Sequence, residues 1–314
     1  MTEPLRPMST GQVLDHTFAL YRNNFLLFVG IATVGPAANV IFQLLTVGAN
    51  VGMPFGARQT PTGAALARFG LGMLFGYLIL LVGMALSHAA TVKAVAAVYL
   101  GLETSVVGAY KALWGRILSL FLTLGLILLW MALVVVGISV VALVPLFMGI
   151  AALGRGAHGP VAAVIGTIVG FGIIILVFVA FIWIYVRYAF AIQACVVEDL
   201  GPFTSLKRSV FLSKGSRWRV VAIYLVFVLL GAVLGGGLGA VAGAVGTLLH
   251  NRIAAAVLIY LAGFIAGSIT GPLATIGLSL LYYDERVRKE AFDLQLMMSS
   301  LDAPGLPIAA PAQI

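Results

Sequence analysis

The sequence predicts an all-α, polytopic integral membrane protein with about six transmembrane helices and short amphipathic interfacial helices between them. Three observations carry this. Of 314 residues, 62% are hydrophobic and only 9% are charged, whereas a soluble domain covers itself with roughly a quarter charged residues. Apolar runs longer than about 18 residues, enough to cross the hydrocarbon core as a helix, recur along the chain. The few charges crowd at the ends of those runs.

The expected spans are roughly 25–46, 69–90, 117–142, 160–186, 220–246 and 254–282, within a single membrane domain over 1–302. The N-terminal stretch up to Phe25 is polar and lacks a short apolar core before a small-residue cleavage site. It does not read as a signal peptide, and the first apolar run is expected to be kept as a span. From Ile117 to Leu153 there is no charged residue. As one helix that stretch would be about 55 Å long, well beyond a simple crossing. It is read as one span with an oblique or re-entrant extension past Ala142, because a second crossing broken near Pro145 would scramble the charge asymmetry described next.

Six spans put the N-terminus, the 2–3 loop, the 4–5 loop and the C-terminus on one side. That side holds Arg6, Arg22, Lys93, Lys111, Arg116, Arg187, Lys207, Arg208, Lys214, Arg217, Arg219, Arg286, Arg288 and Lys289; the other holds Arg58, Arg68, Arg155 and Arg252. Lysine and arginine stay with the cytoplasmic loops, so both termini are expected in the cytoplasm, and the host membrane is expected to be a cytoplasmic (inner) membrane. The net charge of +8 is explained by topology and anionic headgroups, not by nucleic acid.

An internal repeat supports the layout. "LGLETS" at 100–105 and "LGPFTS" at 200–205 each lead through a basic segment into a span, and "MSTGQVLDHTFALYRNNFLLF" at the N-terminus is a looser third copy. In each a Ser/Thr pair can cap a short helix, and an arginine (Arg22, Arg116 or Arg217) follows about twelve residues after the threonine. Three units of one interfacial helix and two spans result.

Span five contains Gly231, Gly235, Gly239 and Gly243, every fourth residue on one helical face. Small residues let helices approach closely in lipid, where the hydrophobic drive is absent. Packing within the monomer is the first reading and homodimerisation the alternative. The 4–5 loop gathers Lys207, Arg208, Lys214, Arg217 and Arg219 beside Trp218, a pattern for the headgroup level. Two readings stand there: a topology determinant, or a site selective for anionic lipid or a protein partner, with Arg22, Arg116, Arg286 and Arg288 contributing. Glu198 and Asp199 are adjacent and so diverge by about 100° on a helix; ion pairs with the nearby cations suit them better than acid–base work.

No span contains Asp or Glu, the groups that coupled transporters titrate at depth. Asn39 and Gln43, one turn apart after Pro36, are the one polar pair at depth; they could line a small polar cavity, although bonding between helices is the plainer reading. His16, His88, His158 and His250 are scattered, and Cys195 is alone. No metal site, cofactor or catalytic motif is expected, and Cys195 reads as a small apolar helix residue.

Span six runs directly into "YYDERVRKE". Asp284–Arg288 and Glu285–Lys289 are i,i+4 pairs with the acid first, the favourable order. Val287, Ala291, Leu294 and Met298 form one apolar stripe, so a cytoplasmic amphipathic helix over 283–298 is expected, as an anchor or as a docking strip. The Pro-rich 303–314 is expected to be a disordered tail.

Three stretches, "TGQVLDHTFALYRNNF" at 10–25, "VVEDLGPFTSLKRSVFLSKGSRWRV" at 196–220 and "LLYYDERVRKEAFDL" at 280–294, resemble landmarks of the glycerophosphoryl diester phosphodiesterase membrane-domain family of prokaryotic multi-span proteins. In some members such a membrane region is joined to a catalytic TIM barrel of about 250 residues. No segment here is polar or long enough to be that barrel, so the resemblance implies the membrane part, a bacterial source and no transferred activity. The expectation is a non-enzymatic membrane module that interacts with lipids or organises a partner. The alternative is a transporter or channel for an apolar or amphipathic solute.

Overall fold

The computed structural model describes residues 7–50, 63–99, 101–153 and 160–291. All regular structure among them is helical, in three successive units. The first unit has α1 (Thr10–Asn23), a span broken at Thr33 into α2 (Phe25–Ala32) and α3 (Val34–Asn50), and α4 (Gly63–Tyr99). The second has α5 (Val106–Lys111), a 3-10 turn at Trp114–Arg116, α6 (Ile117–Leu153) and α7 (Pro160–Arg187), followed by the short α8 (Ala191–Val197). The third has α9 (Pro202–Ser213), α10 (Arg217–Leu248) and α11 (Arg252–Glu290). The pairs α3/α4, α6/α7 and α10/α11 are hairpins, and six helices are long and apolar enough to cross a membrane. The protein is thus an all-α polytopic membrane protein built on a threefold pattern of short helix and helical hairpin.

The short helices start differently. Ser9 caps α1 in a reciprocal capping box with Gln12, and Ser105 caps α5 by accepting from the Gly108 amide at 3.1 Å. Both bonds satisfy donors left open by the first helical turn. The expected Ser/Thr cap of the third unit is not formed: Gly201 is the N-cap and Pro202 follows it, which puts Thr204 and Ser205 inside α9. Proline is suited to that first position because its missing N–H would have no partner there.

Two helices are far longer than a crossing. α4 has 37 residues and α11 has 39, about 55 and 58 Å at 1.5 Å per residue, against about 30 Å of hydrocarbon. Burial divides them. In α4, Gly76 is the one buried residue before Gly83, after which burial is frequent to Val95; in α11 nearly every residue from Pro272 to Glu285 is buried. The two run parallel, with His88 bonded to Thr275 and Tyr99 stacked on Tyr283. Around these ends pack α1, α2, α5, α8 and α9, making a head with a core that includes Phe28, Ile31, Phe190, Leu212, Ile223 and Tyr282. Burial from water there yields about 25 cal/mol per Å² of apolar surface.

The rest of the bundle lacks that drive and relies on close approach. A Cβ at Gly83 would lie 2.3 Å from that of Ala38, and one at Gly246 would lie 2.3 Å from that of Ala255. Of the predicted glycine row, Gly231 faces Thr270 and Gly235 faces Ala266, whereas Gly239 and Gly243 meet nothing within 4 Å. Four residues turn a helix by 400°, so a four-residue row drifts about 40° per step off the seam. Gly246, outside that row, makes the tightest approach of α10.

α6 runs unbroken through Pro145, so the stretch past Ala142 continues the same helix. α11 ends at Glu290 with Ala291 in the left-handed region at φ 49. The amphipathic helix expected over 283–298 therefore reaches 290 as part of α11, and 292–298 lie outside the described residues, as does the 303–314 tail. Its acidic side points inward: Asp284 and Glu285 are 1% and 3% exposed.

Candidate functional site: the charged head

α7 stops at Arg187 and the chain turns through Tyr188–Phe190 into α8. A serine stripe on α9 closes that break. Ser205, Ser209 and Ser213, spaced i, i+4, i+8, are wholly buried. The Ser209 hydroxyl donates to the Arg187 carbonyl and accepts from the Phe190 amide, both at 3.1 Å. Ser213 donates to the same carbonyl at 3.3 Å, and Ser205 to that of Gly201 at 2.9 Å. With its inner face bonded to backbone, α9 turns Phe203, Lys207 and Phe211 outward.

Three ion-pair clusters follow. Arg208 on α9 lies between two carboxylates: its Nε is 2.8 Å from Glu198 and its Nη2 2.7 Å from Glu290. Arg286 reaches the same two acids at 3.4 Å, and the Tyr282 hydroxyl donates to Glu198. Burial works against the Arg208 charge, but Glu290 and Glu198 outweigh it and raise its pKa above the ordinary guanidinium value. In the second cluster the Arg219 Nη1 is 2.7 Å from Asp284 and 2.8 Å from Glu285, and its Nη2 donates to the Met8 carbonyl at 2.8 Å. The Met8 amide donates to Asp284 at 2.6 Å, and Arg288 and Lys289 close the predicted i,i+4 pairs at 2.9 and 3.1 Å. In the third, Asp199 meets Arg116 at 3.2 Å and Lys93 at 4.0 Å. Asp199 has φ 53, a left-handed conformation that Asp tolerates better than most residues.

Sequence reasoning assigned eight cations to lipid or partner contact, and the head sorts them. Arg116, Arg208, Arg219, Arg286 and Arg288 face carboxylates of the same chain, Glu198 and Asp199 taking the ion pairs expected of them. Arg22, Lys207 and Arg217 are exposed, as are Lys111 and Lys214, and none of the five has an ion pair among the described residues. Large aromatic side chains stand out from the same region: Trp114 and Trp218 are 81% and 85% exposed. Arg22 also lines an open groove of about 330 Å³ along α1 with Asp15, Phe18 and Tyr21.

The remaining polar residues singled out in the sequence lie outside these clusters. Asn39 and Gln43 are half-buried on α3, and neither side chain is hydrogen-bonded among the described residues. A side-chain hydrogen bond between long helices forms instead from His88 Nδ1 to Thr275 Oγ1, 3.1 Å. Cys195 is buried near Ser119 and Thr123, His16 and His250 are exposed, and His158 lies outside the described residues. One of the cations expected in the cytoplasm carried no site assignment. Arg187 stacks on Trp183 at 4.9 Å, one turn earlier, and the i,i+4 aromatic–arginine spacing at the end of an apolar run was its available signal. Comparison with known protein families, curated proteins and solved structures finds no match to this chain.

Proposed function

We propose that the protein is a non-enzymatic module of the cytoplasmic membrane that recruits anionic lipids around its head, with both termini in the cytoplasm. One observation carries the reading. After internal pairing, Arg22, Lys111, Lys207, Lys214 and Arg217 remain exposed beside Trp114 and Trp218, while Asp15 and Glu103 are the carboxylates without an ion pair among the described residues. A surplus of cations with aromatic anchors is the composition that anionic headgroups favour, at about 1 kcal/mol per basic residue near the surface. The three stretches that resemble the glycerophosphoryl diester phosphodiesterase membrane-domain family come together where Arg219 meets Thr10 and Asp284, and kinship with that family's membrane region is part of the proposal.

The test is the lipid that co-purifies with the full chain. Wild type should be enriched in phosphatidylglycerol over phosphatidylethanolamine relative to the source membrane, and Lys207→Glu with Lys214→Glu and Arg217→Glu should lose that enrichment. Equal enrichment in both removes the reading. For orientation, an impermeant thiol reagent applied to intact cells should label Leu249→Cys and not Lys207→Cys. A solute pathway is the second reading, favoured by Asn39 and Gln43, whose side chains are unbonded among the described residues; it requires solute flux into sealed vesicles that Asn39→Leu with Gln43→Leu abolishes.

A further inference from the structure

Arg187 differs from the arginines around it. Arg116, Arg208, Arg219, Arg286 and Arg288 each face a carboxylate, whereas Arg187 has no ion pair among the described residues, and its Nε is buried without a hydrogen-bond partner. A buried donor left open is uncommon, because it gives up water and gains nothing. The guanidinium is nonetheless held firmly. Its carbon lies 4.9 Å over the Trp183 ring and 5.8 Å from that of Tyr188, and the residue's carbonyl is fixed by Ser209 and Ser213. Stacking on a ring occupies the face of the guanidinium and leaves its edge, where the N–H donors point, for an acceptor.

The surroundings specify the kind of acceptor. α7 meets α10 where Tyr185 and Tyr224 pack at 4.5 Å. The face of α7 that carries Arg187 and Trp183 is turned about 160° from that contact and presents Leu176, which is 53% exposed. A ligand reaching Arg187 from that side must therefore be an anion carried on an apolar body. We infer that Arg187, braced by Trp183 and Tyr188, seats the phosphodiester of a phospholipid whose acyl chains lie along that face of α7. The two Nη groups, which make no hydrogen bond among the described residues, match the paired oxygens of a phosphodiester, where a lysine would act as a point charge only. The inference deepens the proposed lipid-recruiting function and rests on it for the nature of the surrounding medium, but its site is separate from the exposed cations of α9 and α10.

Native mass spectrometry of the full chain, delipidated in a mild detergent and titrated with phosphatidylglycerol, phosphatidylcholine or palmitate, separates the two. Wild type should retain one molecule of either phospholipid, since both carry the phosphodiester, and should not retain palmitate. Arg187→Gln should weaken that single adduct about tenfold, the scale of one charge-assisted bidentate contact. Arg187→Lys should weaken it as well, although the charge is kept, and serves as the folding-neutral control. Lys207→Gln with Lys214→Gln and Arg217→Gln should leave the single adduct in place while removing any preference for phosphatidylglycerol in further adducts. Undiminished retention by Arg187→Gln, or palmitate bound as well as phospholipid, would overturn the assignment. Loss of the single adduct in the triple variant with retention in Arg187→Gln would assign the lipid to the outer cations instead.

Discussion

Arg219 on α10 and Asp284 on α11 meet at 2.7 Å, and the carboxylate has no exposed side-chain surface at all. The same aspartate receives the Met8 amide, so one buried carboxylate ties together the segment before α1, the start of α10 and the end of α11. Removing one partner of such a pair strands the other and costs about 3–5 kcal/mol. Arg219→Ala is expected to lower the thermal midpoint of the protein in detergent sharply. Asp284→Asn should cost less, since an amide still accepts from Met8. A midpoint for Arg219→Ala within error of wild type would show that the cluster contributes nothing to the head.

The clusters divide the cations into two classes with opposite expected phenotypes. Arg208→Glu places a third acid between Glu198 and Glu290 and is expected to yield unstable, aggregating protein. Lys207→Glu, one residue away but exposed, should leave the size-exclusion profile unchanged, because surface charges contribute about 0–1 kcal/mol. Similar behaviour of the two variants would contradict the sorting.

Much of this was legible in the sequence. Hydropathy anticipated six helices long and apolar enough to cross a membrane, since in lipid the apolar run itself is the signal. The i,i+4 order of Asp284–Arg288 and Glu285–Lys289 announced a helix through the charged stretch. What the pattern could not convey was the direction of those charges. An i,i+4 pair looks the same on a solvated face as in a cluster shared with Arg219 and Met8, and the partners lie 66 and 276 residues away. The head had one sequence trace, apolar helices longer than a bilayer requires, and that trace was ambiguous because long spans also tilt. The serine stripe of α9 was readable by spacing, but its acceptor, the Arg187 carbonyl, exists only because α7 breaks there.

The drift of the glycine row gives a paired test in α10. A methyl group at Gly246 would lie 2.5 Å from the Ala255 Cα, which is backbone and cannot swing aside. Gly246→Ala should therefore splay the α10/α11 hairpin and destabilise the protein. Gly239→Ala meets open space and should be neutral or stabilising by about 0.5–1 kcal/mol, because alanine orders more readily in a helix. Thermal midpoints of the two variants in the same detergent decide it; a loss at Gly239→Ala as large as that at Gly246→Ala would restore the four-residue row as the packing seam.

The serine stripe makes the last prediction, because its members do unequal work at one break. Ser209 both accepts from the Phe190 amide and donates to the Arg187 carbonyl, so Ser209→Ala leaves a buried amide without an acceptor, at a cost of about 1–3 kcal/mol. Ser213 donates to that carbonyl and to the Val210 carbonyl of its own helix; Ser209 still satisfies the Arg187 carbonyl when the Ser213 hydroxyl is gone, so Ser213→Ala should cost a fraction of that. Hydrogen exchange supplies the local readout: the Phe190 amide should exchange much faster in Ser209→Ala and at the wild-type rate in Ser213→Ala. Unchanged exchange in Ser209→Ala would mean that another group holds that amide, and that α9 is fixed by its ion pairs alone.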